Sequence, residues 1–179
     1  KGGISKKLFD VFAYFLGRFT AGMPYAVIVT CLFYGAISGS APATVAAVGS
    51  MTIPILTTLG YDLTFSTAIV AVAGGLGVII PPSIPFIMYG MASGASVSDL
   101  FLAGIVPGLM IGVLLMLYAI YYCKRYGEDK EKIHAEVKIL HDKGLLKVLK
   151  ESFFALLSPV IILGCIYSGI ASPTEAAVI

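Results

Sequence analysis

The chain's 179 residues are strongly apolar, and its charges are unevenly placed. Hydrophobic residues make up 58% and charged residues 12%, about half the roughly 25% typical of soluble domains, and the mean hydropathy is +0.95. No Lys, Arg, Asp or Glu occurs in 19–61, 63–98, 100–123 or 152–174. A soluble domain needs charge over its whole surface, so that class is excluded. The net charge of +2, mixed in sign, also excludes nucleic acid as a partner.

The stretch 24–61 predicts a re-entrant helical hairpin. It is too long for one helix across a bilayer core of about 30 Å, and the run SGSAP at 38–42 interrupts it. The piece before the interruption, about 24–37, would rise only about 21 Å at helical pitch, which is less than a crossing. We therefore expect the chain to turn back within the membrane.

The stretch 62–123 predicts a broken transmembrane helix followed by a return helix. The run PPSIP at 81–85 cannot lie in a regular helix, because each proline lacks an amide proton and clashes with the preceding turn. We expect helices at about 64–79 and 85–92, joined by an extended linker near the middle of the membrane. Asp62, before the first of them, is expected to be a cap or turn residue.

The return helix is expected at about 99–122, with Ser98 or Asp99 as its N-terminal cap and Pro107 as a kink. Residues 124–150 then hold eight Lys/Arg, five Asp/Glu and both histidines. Their apolar residues recur at helical spacing, which predicts an amphipathic arm along the membrane surface with solvated histidines.

Residues 151–179 predict another crossing at about 153–170, followed by a turn and a new helix start at Ser172-Pro173-Thr174-Glu175. Residues 1–23 are predicted to form an amphipathic interfacial segment. Basic loops remain preferentially in the cytoplasm, so 1–18 and 124–150 are both expected there. The chain between them must then cross an even number of times, and a hairpin plus two crossings satisfies this rule.

Two interruptions at membrane depth require a reason, because unpaired backbone groups cost several kcal/mol in hydrocarbon. Half-helix ends can hold ions near the midplane. The hairpin tip at 38–40 and the linker at 77–83 are expected at similar depth, where carbonyls and hydroxyls could give a hard cation five or six oxygen ligands. The hydroxyl candidates are Ser38, Ser40, Thr44 and Ser83. Close packing by small residues is the alternative; we favour it for isolated glycines such as Gly35, and ion binding for the two interruptions.

Enzymatic chemistry finds little support in the sequence. The apolar stretches contain no Ser or Cys nucleophile with a nearby His, no glycine-rich phosphate loop and no metal-ligand spacing. We expect no enzyme and no cofactor. The open alternatives are a transporter, a structural or assembly subunit whose interruptions serve only packing, and, less favoured, a channel, since no ring of filter residues is evident.

Several runs resemble the large membrane subunit of TRAP transporters, the tripartite ATP-independent periplasmic transporters of bacteria and archaea. These runs are FYGAISGSA at 33–41, GYD at 60–62, IIPPSIP at 79–85, YG at 89–90, LFLAGIVPG at 100–108 and SPTEAA at 172–177. The resemblance implies an all-α integral membrane protein of the elevator type in the bacterial inner membrane. The chain would contain its first inverted repeat and, at 172–177, the start of the second. Residues 124–150 carry no such run and would correspond to a lateral arm.

The resemblance also implies a function. A sodium gradient would drive uptake of an organic acid, such as a C4-dicarboxylate, a sialic acid or another sugar acid. A periplasmic substrate-binding protein would deliver the acid, and a small four-helix membrane subunit, separate or fused, would be the partner. Sodium would be the coupling ion, without a further metal or cofactor.

The resemblance also carries over site residues. Those expected around sodium are Ser38, Gly39, Ser40, Gly77, Ile80, Pro81 and Ser83. Those expected to border the substrate are Ser40, Thr44, Pro82 and Ser83. Pro42 departs from the family's pattern, which leaves the geometry just after the tip open, at Ala43 and Thr44.

Overall fold

The computed structural model describes residues 3–168 and 170, and all the regular structure of that part is helical. The helices are α1 (Ile4–Leu16), α2 (Gly22–Ser38), α3 (Ala41–Thr58), α4 (Leu63–Gly75), α5 (Ile84–Ser93), α6 (Val97–Tyr126), α7 (Lys130–Asp142) and α8 (Leu145–Tyr167), with a short 3-10 turn at Leu76–Val78. Three of them, α3, α6 and α8, are long and apolar enough to span a membrane. The predicted all-α membrane class is confirmed.

Helices α2 and α3 form a hairpin that turns at Gly39 and Ser40. Gly39 adopts φ 60°, and Ser40 is extended at φ −137°, so the chain reverses within two residues. Pro42 lies in the first turn of α3, where its missing N–H interrupts no intrahelical bond. The Thr44 amide already bonds to the Ser40 carbonyl at 3.0 Å. Pro42 is therefore compatible with a regular helix start directly after the tip.

A second break separates α4 from α5. Asp62 caps α4, its Oδ2 accepting from the Phe65 amide at 3.1 Å, which agrees with the expected capping role. The 3-10 turn extends α4 to Val78, and an irregular linker at 79–83 leads to α5. Ser83 caps α5 by accepting from the Phe86 amide at 3.4 Å. The helix is thus broken at the proline-rich run as predicted, but the linker is not the extended segment expected: Ile79 has φ −104° and ψ −40°, residues 80–82 bend, and extended backbone is reached at Ser83, with φ −120°.

Three boundaries differ from the sequence-based expectation, and one of them is the end of α6, which runs to Tyr126 rather than to about 122. Helix α6 begins at Val97, and its cap is Ser96, whose Oγ accepts from the Asp99 amide at 3.3 Å. Ser98 and Asp99 lie inside the first turn, so neither is the cap, because the chain becomes helical before reaching them. The predicted division between residues 150 and 151, where the arm was expected to give way to the next crossing, is also not a helix boundary.

Helix α8 runs without a break from Leu145 through that predicted boundary. Residues 145–158 contain neither Gly nor Pro, so the helix has no reason to stop when its composition becomes more apolar. The arm therefore has one helix of its own, α7, and 145–150 are the first turns of the spanning helix. The predicted start of a second repeat at 172–177 lies outside the described residues.

The two basic segments pack against each other. His141 of α7 stacks on the Tyr14 ring of α1 with 3.9 Å between ring centroids, and Ser152 of α8 donates to the Lys7 carbonyl at 2.8 Å. His141 is therefore half-buried rather than solvated as expected. These contacts put 1–18 and 124–150 on the same side of the molecule, which agrees with an even number of crossings between them.

Candidate ion and substrate site

The hairpin tip holds a cluster of uncharged oxygen atoms. Thr44 is fully buried and donates its hydroxyl proton to the Ser40 carbonyl at 2.8 Å. Its Oγ1 lies 2.9 Å from Ser38 Oγ, and the Ser40 amide donates to Ser38 Oγ at 3.3 Å. Ser38 Oγ also lies 3.3 Å from the Ser40 carbonyl oxygen, so either hydroxyl can be the donor in the Ser38–Thr44 pair. The chain folds this way locally because Ser38 ends α2 and Thr44 lies in the first turn of α3.

The linker is held by one buried side chain. Ser83 is fully buried, and its hydroxyl donates to the Val78 carbonyl at 2.6 Å while accepting from the Phe86 amide. This bond closes the linker across the proline-rich run. Ser83 therefore positions the start of α5 directly after the end of the 3-10 turn.

Tip and linker meet directly. The Ile84 amide donates to the Gly39 carbonyl at 3.4 Å, and a Cβ built on Gly39 would lie 3.0 Å from the Pro82 carbonyl oxygen. A Cβ on Gly77 would come within 2.8 Å of Thr44 Oγ1, and one on Gly35 within 2.5 Å of the Gly77 Cα. The missing side chains at Gly35 and Gly77 let the two backbones touch.

Four half-helix ends converge at this contact. The C-terminal ends of α2 and of α4 with its 3-10 turn bring carbonyl oxygens, and the N-terminal ends of α3 and α5 bring amide groups. Helix C-termini carry partial negative charge and N-termini partial positive charge. One small region thus offers both a place for a cation and a place for an anion.

The predicted site residues divide into two groups. Those brought together at the contact are Ser38, Gly39, Ser40, Thr44, Gly77 and Pro82, with Ser83 directly behind Pro82. Ile80 differs, because its side chain packs beside α6, where a Cβ on Gly108 would lie 2.7 Å from Ile80 Cγ1. Only the Ile80 backbone is available to an ion. Pro81 is buried in the linker, and none of the contacts described for the tip involves it.

The sequence did not single out the Val78 carbonyl or the Ile84 amide, although both complete the contact. Their only signal is position, since they flank the proline-rich run as the last residue of the turn and the first of α5. Within the part of the chain that the structure describes, no group of three or more His, Cys, Asp or Glu residues could hold a metal. The oxygen atoms at the contact that could bind a cation belong to uncharged hydroxyls and carbonyls.

A carboxylate at the other end of the hairpin was also missed. Glu128, in the loop between α6 and α7, accepts from the Ala21 amide with both oxygens at 3.1 Å and from the Tyr61 hydroxyl. Ala21 precedes α2, and Tyr61 lies between α3 and α4. Glu128 therefore joins both ends of the hairpin to the start of the arm.

The chain matches one known protein family over its whole length. The family described as tripartite ATP-independent periplasmic transporter, DctM component, matches residues 1–179. The chain belongs to this family. The TRAP resemblance predicted from the sequence is confirmed.

Three relatives illustrate the range of the DctM family. The isethionate TRAP transporter permease protein DctMQ of Oleidesulfovibrio alaskensis is 49% identical over 98% of this chain and 27% of its own length. The C4-dicarboxylate large permease protein DctM of Pseudomonas aeruginosa is 42% identical, over 99% and 40%. The ectoine large permease protein TeaC of Halomonas elongata is 38% identical, over 99% and 40%. The chain thus spans well under half the length of these relatives.

Proposed function

We propose that this chain is the part of the large permease subunit that contains the first inverted repeat of a sodium-coupled TRAP transporter, which imports an organic acid. The observation that carries this proposal is the convergence of four half-helix ends at the contact between the tip (38–40) and the linker (77–83). Transporters use broken helices in this way, with unwound carbonyls toward sodium and helix N-termini toward an anionic substrate. Two breaks that meet at membrane depth favour ion binding over packing alone, because small residues allow close packing in unbroken helices as well.

In this proposal the coupling ion lies between the tip and the linker. The oxygen ligands on the tip side are Ser38 Oγ, Ser40 Oγ, Thr44 Oγ1 and the Ser40 carbonyl. Carbonyls of the linker, including that of Pro82, complete the set. Uncharged oxygens suit a singly charged hard cation, whose charge a carboxylate need not balance. Movement of this region relative to the spanning helices would give the elevator mechanism.

The substrate is an organic acid whose carboxylate or sulfonate would lie near the N-termini of α3 and α5, where Ser40, Thr44, Pro82 and Ser83 are. The names of the relatives support this class, since they include isethionate and C4-dicarboxylate permeases. Sialic acids and other sugar acids belong to the same chemical class. A zwitterion also occurs among the relatives, as the ectoine permease shows by its name.

The partners in this proposal are a small four-helix membrane subunit and a periplasmic substrate-binding protein. The family description supports the tripartite assembly, and the name DctMQ supports a fused arrangement in one relative. The protein would lie in the bacterial inner membrane with 1–18 and 124–150 in the cytoplasm. A structural subunit without transport remains the alternative that the experiment must separate.

We expect Ser40→Ala and Ser38→Ala to raise the sodium concentration for half-maximal uptake about tenfold, because losing an oxygen next to a charged group costs about 1.5 kcal/mol or more. Uptake of a labelled organic acid would be measured in proteoliposomes of the complete transporter with its binding protein. Ser83→Ala is also expected to raise the sodium concentration for half-maximal uptake. It should in addition lower the free energy of unfolding by about 1 kcal/mol, because Ser83 caps α5.

Ser50→Ala is the matched control, since Ser50 lies on the exposed side of α3 and its hydroxyl bonds only to the Ala47 carbonyl at 3.3 Å. It should leave the sodium dependence unchanged. If Ser38→Ala, Ser40→Ala and Ser83→Ala lowered only the melting temperature and left the sodium dependence alone, the interruptions would serve packing, and the ion assignment would be wrong.

A further inference from the structure

A cationic groove lies between the end of α1 and the arm helix α7, away from the proposed ion and substrate site. It measures about 420 Å³ and is lined by Arg18, His134, Val137, Lys138 and His141. Cavities of roughly 300–1,000 Å³ are the usual size for small ligands. Four of the five lining side chains carry nitrogen donors, and none is a carboxylate. We define these five residues as the arm groove.

The positive charges of the arm groove have no acidic partner in the described part of the chain. The salt bridge found there joins Lys132 to Asp129 at 3.0 Å, outside the groove. Glu128 lines an adjoining hollow of about 100 Å³ together with Arg18 and His134. Its oxygens accept from the Ala21 amide and the Tyr61 hydroxyl, which are neutral donors, so Glu128 keeps its negative charge. Neither Arg18 nor Lys138, however, has a carboxylate within salt-bridge distance among the described residues, and both cations line the groove.

Arg18 is held in place by His141. Its Nη2 lies 3.1 Å from His141 Nδ1, and a guanidinium can only donate, so Nδ1 is the acceptor. His141 Nε2 then donates to the Tyr14 carbonyl at 3.3 Å, while the ring stacks on Tyr14. The guanidinium uses one of its five N–H groups in this way. The remaining N–H groups suit bidentate binding of a phosphate.

The surroundings of Arg18 favour a membrane lipid over a soluble anion. Phe15 and Phe19 flank Arg18 in the sequence and expose 50% and 65% of their surface, and Phe19 lines the adjoining hollow. Exposed phenylalanine rings together with basic side chains are typical of helices that lie in the interface of a membrane. Basic pockets beside transmembrane helices bind anionic headgroups. We propose that the arm groove binds the phosphate of an anionic phospholipid.

This proposal goes beyond the transport function and requires neither the sodium site nor the substrate site. It gives the amphipathic arm a specific lipid contact, so that α1 and α7 are fixed to the membrane surface while the tip and linker lie deeper. The contact is made by side chains that come from both basic segments. A lipid bound there would strengthen the packing of α7 on α1.

The test is titration of the purified full-length protein in detergent with phosphatidylglycerol, measured by native mass spectrometry, with phosphatidylcholine as the uncharged comparison. Lys138→Gln and Arg18→Gln should each weaken phosphatidylglycerol binding about fivefold, and the double variant about twentyfold, because each cation contributes about 1 kcal/mol. Lys132→Gln is the control on the same helix and should change binding less than twofold. Binding of phosphatidylcholine should not respond to any of these changes.

Two results would overturn the proposal. An equal loss in Lys132→Gln and Lys138→Gln would show a response to total charge rather than to the groove. Inorganic phosphate that binds the wild type with the same loss in Lys138→Gln, and displaces phosphatidylglycerol at matched concentration, would assign the groove to a soluble anion. Lys138 is exposed and has no hydrogen bond or ion pair among the described residues, so its replacement tests the groove even if Arg18→Gln disturbs folding. Lys138→Arg should then retain binding.

Discussion

Gly35→Ala and Gly77→Ala are each expected to abolish uptake, whereas Gly75→Ala, two residues from Gly77, should leave uptake intact. A Cβ on Gly35 would lie 2.5 Å from the Gly77 Cα and 3.1 Å from its amide nitrogen. Both neighbours are backbone atoms and cannot rotate away as a side chain can. Helix α2 must therefore separate from the linker, and the tip moves with it.

The expected loss of stability for Gly35→Ala is about 1–3 kcal/mol, the usual range for an added methyl group in a packed core. The loss of transport should be larger than this figure implies, because the oxygen atoms of tip and linker must remain within ligand distance of one ion. A shift of 1 Å in a positioned site can cost about a hundredfold in rate. In Gly77→Ala, the added Cβ would also clash with the tip itself, because it would lie 2.8 Å from Thr44 Oγ1.

Gly75 provides the matched control. It lies at the end of α4 with helical dihedrals, and a Cβ there meets nothing within 4 Å. Alanine should stabilise α4 by about 0.8–1.0 kcal/mol through helix propensity alone. Uptake and thermal unfolding of the full-length protein would be compared for the three variants. Wild-type uptake in Gly35→Ala would mean that the tip and linker need not touch.

The breaks could be predicted from the sequence because each has a local cause. Three prolines within five residues end a helix wherever they occur, and the run at 38–42 combines the residue types that disfavour one. That the two breaks meet depends on packing between residues far apart in sequence. Gly35 was assigned to packing from its residue type alone, and its role against Gly77 emerges only when α2 lies beside the 3-10 turn.

The arm was harder to predict because its charges and apolar residues fit more than one arrangement. The two lysines among 145–150 group these residues with the charged arm, but they begin the spanning helix α8, since helix formation depends on the absence of breakers more than on charge. His141 was expected in solvent because a histidine in a charged segment usually lies there. Its stacking on Tyr14 comes from the contact between α1 and α7, which no local pattern encodes.

Glu128 was missed for the same reason, and its removal should produce the second large effect. We expect Glu128→Ala to lower the free energy of unfolding by about 3 kcal/mol, because hydrogen bonds to a charged group contribute about 1.5–3 kcal/mol each. The variant leaves the Tyr61 hydroxyl, on a residue 7% exposed, without its acceptor. It also frees the Ala21 amide at the start of α2.

Tyr61→Phe removes the hydrogen bond from the Tyr61 hydroxyl to Glu128 and keeps the one from the Ala21 amide. Burial, followed by the hydrogen bond to Glu128, raises the pKa of the Tyr61 hydroxyl above its ordinary value of 10.0, so the hydroxyl stays protonated and donates throughout the neutral range. A raised pKa in the folded state stabilises the fold fully below the unfolded pKa, and the contribution declines as pH rises above about 10. The difference between wild type and Tyr61→Phe should therefore be constant near neutrality and shrink in alkaline buffer.

A double-mutant cycle of Glu128→Ala and Tyr61→Phe, followed by thermal unfolding in detergent, should give a coupling of about 1–3 kcal/mol. Glu131→Ala, an exposed carboxylate at the start of α7, is the control and should change stability by less than about 0.5 kcal/mol. Hydrogen exchange of the Ala21 amide should accelerate in Glu128→Ala and not in Glu131→Ala, because only Glu128 accepts that proton. Additive effects in the cycle would mean that Glu128 stabilises the start of α2 alone, and the hairpin's two ends would then be held to the arm independently of each other.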